Sequence, residues 1–553
     1  MAWTDVWLAG RRPYLLLGAL CLCLYLPGIA SIPVLDRDEA RFAQATRQML
    51  ETGDFLRIRF QDEARNNKPA GIYWLQAVAV SAFSTPKSVT IWPYRLPSLL
   101  GASLAVLLTF GFGQALLGGF LDAGTAARTA LIAAVLLGAA LGTVAEAHIA
   151  KTDAALLAAI TAGQGALGLC YVRARGGGRI GPGFATVFWL AEIAAIFLKG
   201  PVGPGLAIGT ALTLSIVDRD ASWLRGLRPI IGLIVAALVV APWLYAIEHA
   251  TEGQFIAGSL GKDFLSKLLG AQEAHGAPPF YYLVLAFLTF WPGSLFIVPA
   301  VVSGWAHRAQ PVYRFLLAWL MPAWLVLELV PTKLPHYALP LYPALALLAA
   351  SALTEGSDSR RWARWTEAAG AALWALVTLS IVGALMMAPI RYGSGIMMAA
   401  LNGAAAVAVL AAMLYLRPNF LGCIVVLAAL SLALVVPAAS WVVPNLDRLW
   451  LSRAAAGLVA HHEPPTGTRL TVIGYTEPSL VFLLRDQLQF ATTSAASTLR
   501  ASDKVLVNNR DSAAFEQGLS AQGLGAQPID SVAGIDYSNG QSTVLTLYQV
   551  KAK

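Results

Sequence analysis

The sequence predicts a polytopic α-helical membrane protein carrying a small α/β domain at its C-terminal end, and three observations lead there. Apolar residues make up 57% of the 553 positions and charged residues 13%, about half the charged share usual in soluble chains. Leu96 to Leu121, Ala368 to Ile390, Tyr392 to Leu416 and Pro418 to Leu446 carry no charge, and each exceeds the roughly 20 residues a helix needs to cross about 30 Å of hydrocarbon. From residue 444 onward the composition becomes that of a soluble domain, with nine Lys/Arg and nine Asp/Glu.

Hydropathy places about thirteen spans, near residues 13–34, 92–118, 125–145, 153–173, 184–199, 203–217, 228–248, 279–303, 311–330, 335–353, 366–388, 392–416 and 419–443. The basic residues orient them. With the N-terminus inside, the inner loops hold fifteen arginines, from Arg11 and Arg12 to Arg417, against Lys151, Lys199, Lys333 and Arg391 in the short outer loops. The N-terminus is therefore expected in the cytoplasm and the C-terminal end on the periplasmic side of a bacterial inner membrane. The net charge of +8 lies between apolar runs, where it reports orientation, so nucleic acid is not an expected partner.

The transmembrane unit is expected over residues 1–443 and the α/β domain over 444–553. Residues 33–91 and 249–278 form two long outer loops. In the first, Ala40, Phe42, Ala43, Met49 and Leu50 share one helical face, and Pro69 to Phe83 is apolar but too short to span. Both read as interfacial helices. In the tail, Leu470–Tyr475, Leu488–Ala491, Lys504–Asn508 and Thr543–Val550 read as strands, with helices at 478–486 and 512–521. The four cysteines, Cys21, Cys23, Cys170 and Cys423, all fall in apolar runs and suggest neither a disulfide framework nor a metal knuckle.

No phosphate-binding G-x-x-x-x-G-K-[ST] loop occurs. Gly176, Gly178 and Gly181 match G-x-G-x-x-G without a preceding strand, so a nucleotide motor or nicotinamide enzyme is not indicated. The chemistry concentrates in the outer loops. Asp36-Arg37-Asp38-Glu39 follows the first span; an acid there can cap the helix or serve a site at the membrane surface. Lys68 stands beside the start of an expected helix at Pro69, where a phosphate would offset the lysine's conflict with the helix dipole. Lys151-Thr152-Asp153, Lys199-Gly200 and Lys333-Leu334-Pro335-His336-Tyr337 share the outer boundary, and charges at membrane depth tend to mark function. Lys267 and His275 add possible cations before Pro278-Pro279-Phe280-Tyr281-Tyr282. His249, Asp263, Glu273 and His275 could gather a divalent ion, although their spacing does not demand one.

Asp38-Glu39-x-Arg41-Phe42-Ala43, Gly53-Asp54-Phe55, Lys68-Pro69 with Tyr73-Trp74, Lys199-Gly200, and His275 ahead of the Pro-Phe-Tyr-Tyr run resemble the lipid-carrier-dependent glycosyltransferases of the GT-C type. Within them the chain is most similar to the aminoarabinose transferases that modify lipid A. The resemblance implies transfer of 4-amino-4-deoxy-L-arabinose from undecaprenyl phosphate to lipid A, with resistance to polymyxin and other cationic peptides as the outcome. It implies catalytic roles for Asp38, Glu39 and Asp153. Substrate contacts are expected from Arg41, Lys68, Tyr73, Lys199, Lys267, His275, Tyr282, Lys333, His336 and Tyr337. No cofactor or nucleotide is required by this reading. Asn67 and Ala70 depart from the acidic residue and second proline that commonly flank Lys-Pro in the family. Transfer of another sugar to protein or glycan hydroxyls is the alternative; a lipid-linked sugar transporter, which would use Glu192 and Glu328, is a more distant one.

Overall fold

The computed structural model describes residues 10–66, 68–178, 180–259, 261, 278–355, 361–393, 395–416, 420–462, 469–485 and 487–552. Among these, eight helices are long and apolar enough to cross a membrane, and a ninth span is the bent pair Ala123–Ala139 and Leu141–Ala147. The remaining expected spans fall on shorter apolar helices at Arg12–Tyr25, Val202–Asp218, Gly293–Ala306 and Ile396–Val407. Each expected span therefore has a helical counterpart. Small residues let the central helices approach closely: a Cβ on Gly101 would lie 2.7 Å from the backbone of Ala155 on the neighbouring helix.

The expected span at 125–145 is not continuous. Its axis turns by 59° between Ala139 and Leu141, which frees backbone groups that hydrocarbon cannot satisfy. Other helices supply the partners. Tyr25 donates its hydroxyl to Gly138 O at 2.8 Å, Ser431 donates to Ala139 O at 3.2 Å, and Leu141 N–H donates to Trp291 O at 2.9 Å. The bend turns Leu141–Ala147 and the following loop toward the outer-loop helices.

The first outer loop forms the helix Asp38–Thr52, closed by Gly53 in the left-handed conformation (φ 71°) that glycine adopts without Cβ strain. A two-stranded hairpin follows, β1 (Arg59–Phe60) and β2 (Glu63–Ala64), and then the helix Gly71–Phe83. Neither aspartate is the N-cap of the first helix; that position is Arg37, with no side-chain cap bond. The carboxylate of Glu39 does the fastening. It accepts from Leu35 N–H at 2.8 Å and Ala150 N–H at 2.7 Å, and from Arg95 Nε and Nη2 at 2.8 Å each. Arg95 donates further to the carbonyls of Ile29, Ile32 and Pro33 at 2.9, 2.8 and 3.0 Å. Both side chains are fully buried. A buried ion pair persists only where hydrogen bonds satisfy both partners, and here they do.

The C-terminal unit is a five-stranded sheet ordered β4-β3-β5-β7-β6, with β3 (Leu470–Ile473), β4 (Leu488–Ala491), β5 (Lys504–Asn508), β6 (Leu524–Asp536) and β7 (Gln541–Ala552). The strands β4, β3 and β5 run parallel; β7 and β6 add antiparallel to one side. Helices Pro478–Leu483 and Ser512–Ser520 lie at the expected places, and Leu451–His461 is an additional one. The sequence reading missed β6, in which Pro528 removes a ladder donor and accompanies a register shift against β7.

This unit docks on the first outer loop. Arg47 donates to Phe482 O at 2.6 Å and Ser88 O at 2.9 Å, and its guanidinium lies 4.0 Å from the Phe482 ring centre. Nearby, Ser479 N–H donates to Asp36 at 3.2 Å and Asp36 N–H donates to the Tyr537 hydroxyl at 2.7 Å. Arg37 donates to Ser538 O at 2.8 Å. Glu477 is buried beside this contact, bonded to the Ser538 hydroxyl. Burial, and then the like charges of Asp36 and Asp536, push its carboxyl up to about 7 against the lowering effect of Ser538.

Replacing Glu39 by Gln leaves Arg95 as an uncompensated buried charge and is expected to destabilise the protein by about 3–5 kcal/mol, read by thermal unfolding in detergent. The double variant Glu39→Leu/Arg95→Leu should lose less than the sum of the single variants. For the docking contact, folding favours protonated Glu477. Its contribution is fully present below the usual carboxylate range and is lost as pH rises through about 7. Amides of residues 475–482, corrected for intrinsic exchange, should exchange more slowly at about pH 6 than at about pH 8, and Glu477→Gln should flatten that difference.

Candidate functional site

Two cavities meet in the molecule. One, about 660 Å³, is an apolar groove between membrane helices, walled by residues such as Leu156, Ile196, Leu206, Val240, Trp243, Trp319 and Leu327. The other, about 680 Å³, is polar and lies among the first outer loop, the hairpin β1–β2 and the C-terminal sheet, with Arg469, Thr476, Pro478, Gln489 and Phe490 contributed by the latter. Lys68, Asp153, Lys199, His336 and Tyr337 line both. These five residues form the throat between an apolar channel and a charged chamber.

Local structure explains how they converge. Asp153 opens the helix Asp153–Arg175 and Lys199 ends the helix Pro182–Lys199, an acid at the positive end and a cation at the negative end of their helices. The two side chains form a close ion pair across the throat. Lys151 reaches Asp153 at 3.5 Å and Glu146 at 2.9 Å, and approaches His336 Nδ1 at 3.2 Å. His336 Nε2 lies 3.7 Å from Asp153. Burial works against the Lys151 ammonium, but Glu146 and Asp153 more than offset it and hold it protonated; Nδ1 of His336 then accepts from it. Lys199 also stands 5.2 Å above the Tyr337 ring. Glu146, brought here by the bend after Ala139, escaped the sequence reading because its partners are close only in space.

The first loop completes the chamber. Asp38 and Arg41 line it, and Asp38 is 57% exposed toward it. Arg65, another residue the sequence reading did not single out, reaches Asp38 at 3.9 Å and covers the Phe42 ring at 5.0 Å.

Four expected site residues are placed elsewhere. Glu39 lines neither cavity, and its acceptors are engaged by Arg95 and two amides, so it positions the loop that carries Asp38. Tyr73 is buried behind Phe42, ring centres 5.2 Å apart. Lys333 turns away to Glu328, donating to its carbonyl at 2.7 Å and lying 3.4 Å from its carboxylate. Tyr282 belongs to the same cluster, its hydroxyl accepting from Leu334 N–H at 3.1 Å. Lys267 and His275 lie outside the described residues, as do Asp263 and Glu273. Glu192 is buried on Pro182–Lys199 against Gly163 and lines neither cavity. Of the residues expected at the site, the structure brings together Asp38, Arg41, Lys68, Asp153, Lys199, His336 and Tyr337, with Lys151, Glu146 and Arg65 beside them.

No family model matches the chain. Among curated proteins it is similar to the undecaprenyl phosphate-alpha-4-amino-4-deoxy-L-arabinose arabinosyl transferases of Aeromonas salmonicida (25% identical over 370 residues, 66% of this chain and 65% of that protein) and Pectobacterium carotovorum (26% over 338 residues, 57% and 54%). That of Pseudomonas paraeruginosa is 28% identical over 324 residues, 58% of this chain and 55% of that protein. The chain thus spans 54–65% of the length of these relatives. Among solved structures, ArnT from Cupriavidus metallidurans bound to undecaprenyl phosphate superposes with a TM-score of 0.75 at 18% identity, covering 98% of both chains. Its apo state gives 0.72 at 19% identity, covering 96% of this chain and 97% of that one. The oligosaccharyltransferase of Archaeoglobus fulgidus tethered with an acceptor peptide gives 0.52 at 11% identity, covering 98% of this chain and 74% of that one. From its first membrane helix to its last strand, the chain has the fold of ArnT.

Proposed function

We propose that the chain is an inverting glycosyltransferase that moves 4-amino-4-deoxy-L-arabinose from undecaprenyl phosphate to phosphate groups of lipid A. The observation that carries this reading is the throat, where an apolar channel opens into a cationic chamber through Lys68, Asp153, Lys199, His336 and Tyr337. An amphiphile with a long hydrocarbon chain and a phosphate head fits that junction. The isoprenoid lies in the groove, the phosphate rests at Lys68 and Lys199, and the sugar projects into the chamber toward Asp38. The likeness to curated arabinosyl transferases supports the same donor.

The reaction follows from these positions. An acceptor phosphate oxygen attacks the anomeric carbon from the side opposite the carrier phosphate. The bond from that carbon to the carrier oxygen breaks, its electron pair leaves with the phosphate, and configuration inverts. Charge develops on the departing phosphate, and fixed cations beside it stabilise the transition state more than the ground state. The acceptor, with a second pKa of about 6, is already an anion at neutral pH, so Asp38 orients the sugar amine. The carrier phosphate is the leaving group, and the scheme uses no nucleotide and no cofactor. The arginine-rich loops support an orientation with the N-terminus in the cytoplasm and the chamber on the periplasmic side of a bacterial inner membrane.

A second reading is supported by the openness of Asp38 to the chamber: a hydroxyl acceptor would use it as general base. Mass spectrometry of lipid A from cells with and without the protein separates the two. The expected result is one added aminoarabinose per modified phosphate; unchanged lipid A with a glycosylated protein or glycan would favour the hydroxyl reading. In a reconstituted assay, Asp38→Asn should lower kcat by a factor on the order of 100 or more. Lys68→Ala should weaken undecaprenyl phosphate binding by about tenfold. Full activity in both variants would remove the site assignment.

A further inference from the structure

The chamber is lined by six cations and four carboxylates, and most of these charges are already matched. Lys151 is held by Glu146 and Asp153, at 2.9 and 3.5 Å. Lys199 is paired with Asp153, and Arg469 with Asp62 at 2.7 Å. Two guanidiniums differ. The Arg41 guanidinium makes no hydrogen bond or ion pair with another described residue, and burial, then the like charge of Arg65, lower it from the usual guanidinium range against the more distant attraction of Asp38 and Glu477. Arg65 reaches the edge of Asp38 at 3.9 Å and lies close to the Tyr73 hydroxyl, while its Nε is buried without a hydrogen-bond partner. The Phe42 ring beneath Arg65 fixes the plane of its fork. A fold that holds two guanidiniums near each other, one of them preset in orientation, carries a Coulomb cost that a bound anion relieves.

We propose that the Arg41–Arg65 pair binds the acceptor's anionic group, a phosphate, inside the polar chamber beside Asp38 and away from the groove mouth where the carrier phosphate rests in the reading above. The inference rests on the transferase reading above and assigns its second substrate. Two observations favour the acceptor over the donor as the source of this anion. Arg41 and Arg65 line the polar chamber and not the groove, whereas the donor's phosphate is tied to the groove mouth by its hydrocarbon chain. The proposed sugar carries an ammonium group, which guanidiniums repel and Asp38 attracts. The charges balance across the transfer. The acceptor phosphate goes from dianion to monoanion on Arg41 and Arg65, as the new bond from oxygen to the anomeric carbon forms. The carrier phosphate goes from monoanion to dianion at Lys68 and Lys199 as the old bond breaks.

The test uses the full chain in detergent or nanodiscs with undecaprenyl phosphate-linked aminoarabinose and lipid A. Arg41→Gln and Arg65→Gln should each raise the KM for lipid A by about tenfold and leave the donor KM within about twofold. Arg65→Lys, which keeps charge but not the fork, should recover part of the loss. A rise in donor KM with the lipid A KM unchanged would assign the pair to the donor and overturn the proposal, as would no change in either. Lipid A binding measured without donor, as a function of salt, should weaken about tenfold in both Gln variants and lose part of its salt dependence. Unchanged binding in variants that unfold at the parent's temperature overturns the proposal even where turnover is absent. Failure of the unsubstituted chain to use the carrier-linked sugar, with lipid A binding still dependent on the pair, would instead overturn the transferase reading.

Discussion

The buried pair of Glu39 and Arg95 is the constraint on which the rest of the architecture hangs. Its hydrogen bonds reach the end of the first span through Ile29 and Ile32, the first turn of Asp38–Thr52, and the loop at Ala150 beside Lys151. One carboxylate and one guanidinium thereby fix three segments that are distant in sequence. Asp38 sits on the next residue and faces the chamber, and Lys151 enters it from the other side. The exposed acid is held in place because its neighbour is buried. Here an open side chain is supported by a neighbour that is saturated with hydrogen bonds.

Charge in the throat is organised by the same economy. Ammonium and carboxylate groups at membrane depth are costly in isolation, yet Glu146, Lys151, Asp153 and Lys199 form a chain in which each ion has an opposite neighbour. Such a chain is stable without substrate and close to neutral in sum. In the proposed seating, a phosphate at Lys199 would share that ammonium with Asp153, and Lys68 would supply the further positive charge. For a lipid carrier of the proposed kind the apolar groove would add affinity that does not depend on charge, since each buried methylene of a hydrocarbon chain contributes about 0.8 kcal/mol.

Much of this was legible in the sequence, for reasons that differ from residue to residue. Membrane spans were readable because hydrocarbon forces about 20 apolar residues in a row. Asp38, Lys68, Asp153 and Lys199 stood out because each breaks an apolar context at the same boundary. What failed was direction. Lys333 shares that boundary, but the turn at Pro335–Leu341 leaves its ammonium against Glu328, and no spacing rule foretells that rotation. Tyr73 follows Lys68 closely, yet it is packed behind Phe42 and lines neither cavity. Glu39 looked like part of an acidic pair because Arg95, which claims it, lies 56 positions away. Glu146 and Arg65 carry no local signal, and β6 was hidden by the proline at its bulge.

The broken helix after Ala139 ties the charged throat to residues that lie outside it. Tyr25, Trp291 and Ser431 occupy the gaps in its backbone ladder, and so they set the angle at which Glu146 is delivered to Lys151. The charged cluster beside the chamber is in this sense suspended from three distant parts of the bundle. A substitution at Ser431, lodged among membrane helices, would act on the throat through the backbone it holds, so the interior of this bundle governs the geometry of a site it does not touch.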